Sequence, residues 1–134
     1  MSIIRLEVDG AMDIRSTLTE LCKAFNAHDL DRIMALFSDD CVLEMPRGNK
    51  PWGSRAEGKP NVREALATRF EGLPDVHYGD EDHFVDATAD TGISKWTLTG
   101  TTRDGKRTEV RGCDFYTFRD GKVIRKDSYW KIVE

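Results

Sequence analysis

No run of about 18 apolar residues occurs in the chain, so none of it is expected to cross a membrane as a helix. Basic charge is not in surplus. The 20 Lys and Arg stand against 24 Asp and Glu, the net charge is −4, and the two signs are interspersed. A nucleic-acid partner is not expected, because it would call for a basic face. The opening MSIIRLEVDG carries Arg5, Glu7 and Asp9 and lacks the apolar core of a secretion signal. Cysteine is scarce: Cys22, Cys41 and Cys113 are odd in number, far apart and without CxxC spacing. Neither a disulfide frame nor a zinc site is indicated, and the cytoplasm is the simplest location.

What is present suits one domain. With 134 residues, 39% of them apolar and 33% charged, the chain can build a core and one pocket. Ile14, Leu18, Leu21, Cys22 and Phe25 fall at helical spacing over 13–27, with Asp13 as N-cap, after an extension of residues 1–12. Asp29 caps a second helix, LDRIMALF, with Leu30, Ile33, Met34 and Phe37 inward. CVLEM (41–45) alternates as a short strand and stops at Pro46. PRGNKPWGSRAEGKP is rich in Gly and Pro and reads as a loop. Pro60 or Asn61 opens a third helix that ends at Gly72.

From residue 76 the period is two, and four strands follow. The last three are joined by RDGK turns at 103–106 and 119–122, a strong hairpin signal. Helices first and strands after them predict an α+β fold: a cone-shaped, curved antiparallel sheet with about three helices on its concave face. A cone open at one end makes a small-molecule pocket.

The carboxylate of Asp114, in GCDFYTF, stands among aromatics and is costly to bury unless paired or used. Three-residue loops with Gly105 and Gly121 as bulge residues are expected. They pair Ser94 with Asp114, Trp96 with Gly112 and Leu98 with Val110, and set Asp114 opposite Lys126. One face then carries Trp96, Leu98, Val110, Gly112, Asp114, Tyr116, Phe118, Ile124, Lys126, Ser128 and Trp130, an aromatic wall around a polar centre. Gly112 leaves space for a ligand beside the tryptophans. The other face, which includes Cys113, Phe115 and Tyr129, is expected to join two copies as a homodimer.

FNAHDLDRIMALFSDDCVLEMP, WGSRAEGKPNVREAL and GCDFYTFRDGKVIRKDSYWK together resemble the nuclear transport factor 2-like superfamily, in its SnoaL-like, ketosteroid-isomerase-related branch. The resemblance spans residues 13–133. It implies a cone-shaped α+β barrel with a ligand cavity, often dimeric and usually with no metal or organic cofactor. It places the family's penultimate-strand carboxylate, a proton donor or acid/base, at Asp114. The isomerases' first-strand base falls at Met45, with Glu44 one position early and on the opposite face. Their helix tyrosine falls at Leu21, and the second Asp of the epoxide hydrolases at Ser128.

Each candidate has two readings. Asp114 is an acid/base or half of a structural ion pair with Lys126. Lys126 neutralises an enolate or snorkels to the cavity mouth. Ser128 is a lining donor, or a nucleophile for which no base stands at recognisable spacing. His83, among Asp80, Glu81, Asp82 and Asp86, is a partner base or a solvated strand histidine. Trp52 and Arg55 cap the mouth and clamp an anion, or plug the core edge and face water. The expected function is binding of a small hydrophobic carbonyl compound with cofactor-free isomerase, dehydratase or cyclase chemistry. Asp114, Lys126 and His83 would carry the chemistry; Trp96, Leu98, Tyr116, Phe118, Ser128, Trp130, Trp52 and Arg55 would bind the ligand. The alternative is a non-catalytic binding domain or accessory subunit.

Overall fold

The computed structural model describes residues 3–134; residues 1 and 2 and the side chains of 3–12 lie outside the described residues. Three helices precede most of a six-stranded sheet: α1 (Ile3–Asn26), α2 (Leu30–Met34), β1 (Phe37–Glu44), β2 (Arg55–Glu57), α3 (Lys59–Gly72), β3 (His77–Asp86), β4 (Thr91–Thr101), β5 (Arg107–Arg119) and β6 (Lys122–Trp130). The strand order is β2-β1-β6-β5-β4-β3, antiparallel except that β1 runs parallel to β6. The sheet curls without closing, and α1 and α3 pack on its inner side.

The stripe of α1 is buried as its spacing predicts, with Leu18 and Leu21 at 1% exposure beside Ile14 and Phe25. Asp13 does not cap it. The helix begins ten residues earlier, and the Asp13 carbonyl accepts the Thr17 hydroxyl at 3.0 Å as an interior helical group. Residues 3–12 hold no proline, and their one glycine costs a helix only about 1 kcal/mol, too little to end it. Asp29 does cap α2: its carboxylate accepts the Arg32 amide at 3.1 Å. That helix stops at Met34, and Phe37 opens β1 instead of closing a helical stripe. Pairing decides this, because Phe37 lies opposite Val123 and the Val123 amide reaches the Leu36 carbonyl at 2.9 Å. Inside the expected loop, Arg55–Glu57 adds a short edge strand against Val42–Glu44.

The first hairpin has the expected register. Gly105, at φ 87°, closes a three-residue loop, and Ser94, Trp96 and Leu98 lie opposite Asp114, Gly112 and Val110. The second hairpin differs. Asp120 and Gly121 both take positive φ, 51° and 76°, which is a two-residue turn that sets Phe118 opposite Val123. Ile124 is then an extra residue, and beyond it Tyr116 faces Lys126 and Asp114 faces Ser128. The pairing is thus two residues from the expected one. Beyond Ile124 that displacement is even, so Asp114, Lys126 and Ser128 keep the expected face and point inward, whereas beside the turn it is one residue. Val123, not Ile124, fills the core.

Candidate functional site

Three neighbouring strands aim polar groups at one point inside the curled sheet. Asp114 (β5), Lys126 and Ser128 (β6) are each 5–6% exposed. The Asp114 Oδ1 accepts the Ser128 hydroxyl at 2.6 Å and the Lys126 ammonium at 3.0 Å; Oδ2 accepts the Trp96 indole N–H at 2.9 Å. Lys126 also donates to Ser128 Oγ at 2.8 Å and lies 5.4 Å from the centre of the Phe25 ring. The ammonium reaches Asp114 along the diagonal of the β5–β6 ladder, since its direct partner is Tyr116. A buried carboxylate with three donors and one counter-charge is fully satisfied. Such a pair is weak evidence for stability, because apolar residues of the same size often hold a fold as well or better.

Two small hollows of about 20 Å³ each, about the space of one water, share Phe25, Tyr78, Trp96, Asp114 and Lys126 as walls. One runs toward α1 and is completed by Leu18, Leu21, Cys22, Ser94 and Tyr116. The other runs toward α3, where Arg69, Met45, Ser128 and Trp130 close it. Burial pushes the Tyr78 and Tyr116 hydroxyls well above the usual phenol range. Burial, with Glu81 adding to it, pushes the Cys22 thiol up to about 12.

The expected site residues divide three ways. Trp96, Tyr116, Ser128 and Trp130 line a hollow with Asp114 and Lys126. Leu98 and Phe118 are buried behind that wall, in the core, and line neither hollow. Trp52 and Arg55 stand elsewhere: Trp52 is 43% exposed, the Arg55 guanidinium lies 4.6 Å from its ring centre, and Arg55 binds Glu44 at 2.7 Å. Arg125 binds the same carboxylate from β6. Glu44 shares its register position with Asp127, so the one-residue offset does put it on the face away from Lys126, where it is buried at 2% exposure under its two arginines. Gly112 leaves no ligand space. A Cβ there would come within 2.7 Å of the Trp96 ring and 2.4 Å of the Tyr129 carbonyl oxygen, so the room is taken by Trp96 itself.

His83 does not touch Asp114. It lies on β3 opposite Ser94, with Nδ1 2.9 Å from the Ser94 hydroxyl, and Ser94 in turn lies opposite Asp114 and lines a hollow. The His83 Nε2 is buried with no hydrogen-bond partner, 3.9 Å from Glu81. Burial holds the imidazole below its ordinary range, against the pull of Glu81 and Asp82. Arg69 and Tyr78 were missed by sequence reasoning. Each falls at an unremarkable position of its element, and it takes the packing of α3 on the sheet and the pairing of β3 with β4 to direct them inward.

Residues 18–126 match the SnoaL-like domain family. The chain belongs to that family. Its fold is that of the nuclear transport factor 2-like superfamily, as solved structures also show. A protein of Xanthomonas campestris pv. campestris assigned to the polyketide cyclases superposes with a TM-score of 0.82 at 16% identity, covering 91% of this chain and 93% of that one. A phenazine biosynthesis-related protein of Pseudomonas aeruginosa gives 0.80 at 16% identity, over 92% of this chain and 78% of that one. A Bacillus subtilis protein assigned as an isomerase gives 0.76 at 19% identity, over 93% and 88%. At these identities the likeness is one of fold. No curated protein sequence matches the chain. Among the described residues no helix is long and apolar enough to cross a membrane, and no group of three His, Cys, Asp or Glu is placed to hold a metal ion.

Proposed function

We propose that this SnoaL-like domain binds a small hydrophobic carbonyl compound against Asp114 and moves a proton on it without a cofactor. The observation that carries the proposal is the Asp114–Lys126–Ser128–Trp96 cluster, buried and yet bordering both hollows. Asp114 takes a proton from the carbon beside the carbonyl. The Lys126 ammonium, already within reach, stabilises the enolate oxygen that develops. Trp96 and Ser128 hold the carboxylate in place. His83 stands one hydroxyl away through Ser94 and serves as a route for protons to and from the hollow. The chemistry class is isomerisation, dehydration or cyclisation.

A second reading is a non-catalytic binding domain or accessory subunit. Two observations favour it: Met45 stands where the related isomerases carry their first base, and the hollows are too small for such a ligand until their walls move. One experiment separates the two. Wild type and Asp114→Asn are incubated in D2O with a panel of cyclic ketones and enones, and proton loss next to the carbonyl is followed by NMR. The enzyme reading expects exchange that falls by about 10²- to 10⁴-fold in the variant with the fold intact. Binding without exchange in either protein supports the second reading.

The outer sheet face is proposed as a two-fold interface between copies. Phe84, Phe115 and Tyr129 are 51%, 42% and 54% exposed there, around a shallow groove that also takes in Ile93 and Cys113. Light scattering that finds only monomer at micromolar concentration removes this reading.

A further inference from the structure

We infer that the ligand of the Asp114 hollow is an anion, a planar carboxylate attached to the carbonyl compound, and that Arg69 receives its charged group. The inference rests on the pocket reading above and adds the ligand's charge to it. Arg69 lies near the end of α3, half-buried, with its guanidinium 4.4 Å from the centre of the Trp130 ring. Among the described residues no carboxylate lies within 4 Å of it, whereas Lys126 is committed to Asp114 and Arg55 and Arg125 are committed to Glu44. The hollow it borders therefore presents two cations, Arg69 and Lys126, against one carboxylate, Asp114. A half-buried guanidinium over an indole, with the Tyr78 hydroxyl beside it, still has N–H donors left of its five, enough for the fork that suits a carboxylate.

The approach has the same sign. Pro46 and Trp130 border both this hollow and an open groove of about 520 Å³ outside it. Arg47, Lys106, Arg107 and Lys131 line that groove, with Glu109 the one acidic side chain on it. In a chain of net charge −4 this collects positive potential at one mouth, which draws anions in. The Arg69–Trp130 stack closes that mouth. Trp130 ends β6, and the Lys131 amide still holds the strand end to the Arg111 carbonyl at 2.8 Å, so opening the mouth takes only a turn of the indole away from Arg69 and from its edge contact with Trp96, with the sheet left paired. An entering carboxylate would take the guanidinium as Trp130 leaves it, and its carbonyl would lie inward toward Lys126 and Asp114.

The test uses sodium benzoate and its neutral isostere benzamide, titrated into the whole chain while the indole N–H resonances of Trp96 and Trp130 are followed by NMR. The expected result is that benzoate shifts both resonances and binds about tenfold or more tightly than benzamide, as for a charge-assisted pair. Arg69→Gln should abolish that preference, and Arg69→Lys should restore only part of it. Benzoate and benzamide binding equally would overturn the inference and leave the pocket standing. A preference for benzoate that survives in Arg69→Gln would overturn the assignment to Arg69. If neither compound reaches Trp96, both this inference and the pocket reading fall. Melting temperatures of the two variants report on folding, and the lysine variant keeps the comparison usable if glutamine weakens α3.

Discussion

Removing the ammonium at the centre of the site tests whether that site is closed to water. In Lys126→Met the apolar stem is kept and the charge 3.0 Å from Asp114 Oδ1 is lost. The two side chains are 8% and 7% exposed, so the pair is not a surface one. At that separation the Coulomb attraction is about 5.5 kcal/mol for an effective dielectric of about 20. The Ser128 hydroxyl and the Trp96 indole remain on the carboxylate and hold back part of the loss. A destabilisation of about 3 kcal/mol follows, the low end of what removing one member of a buried pair costs. It should appear as a fall of about 10 °C in melting temperature. Urea unfolding at pH 7, followed by tryptophan fluorescence, measures it. Asp114→Leu combined with Lys126→Met removes both charges and should recover most of the loss. A Lys126→Met cost below about 1 kcal/mol, the value of an exposed pair, would refute a dry site.

Other outcomes follow from single positions. Gly112→Ala should destabilise by about 1–3 kcal/mol and shift the Trp96 indole resonance, since the added methyl meets the Trp96 ring and the backbone of β6; an unchanged melting temperature and spectrum would contradict the packing. Because the folded His83 binds its proton less readily than the unfolded one, its contribution to stability is whole above the ordinary histidine range and is lost as pH falls through it. Melting curves between pH 8 and 5 should therefore be less steep with pH in His83→Gln than in wild type. Burial holds the Cys22, Cys41 and Cys113 thiols up, so native protein at pH 8 should react slowly with iodoacetamide and denatured protein quickly, as mass spectrometry reads. Phe115→Glu should give a folded monomer by light scattering if the outer face joins two copies.

Local chemistry made much of this legible in the sequence. Helical spacing located the buried stripe of α1, Asp29 marked a cap, and Gly105 set the register that places Asp114 opposite Ser94. The face of every inward residue on β4 and β5 followed from alternation alone. What escaped was set by partners distant in sequence. The extra residue at Ile124 lies where β6 pairs with β5 on one side and with β1 on the other, and the β1 pairing shifts over the same stretch, between Phe37 and Val42. Phe37 left its helix and Arg55–Glu57 left their loop for the same sheet. Gly112 was rightly marked as a space beside a tryptophan, but which group fills a space is a question of packing. Arg69 and Tyr78 carried no motif, and Trp52 and Arg55 were drawn away from the mouth by Glu44.

A crystal of the whole chain grown with 3-oxocyclohexanecarboxylate, a small stable ketone bearing a carboxylate, puts the pocket and its chemistry to the most direct test. Ligand density is expected against the Asp114 and Lys126 side chains, with Trp130 displaced and the Trp96 indole still on Asp114. Ligand found only in the outer groove or on the convex face, over an undisturbed Asp114 cluster, would contradict it.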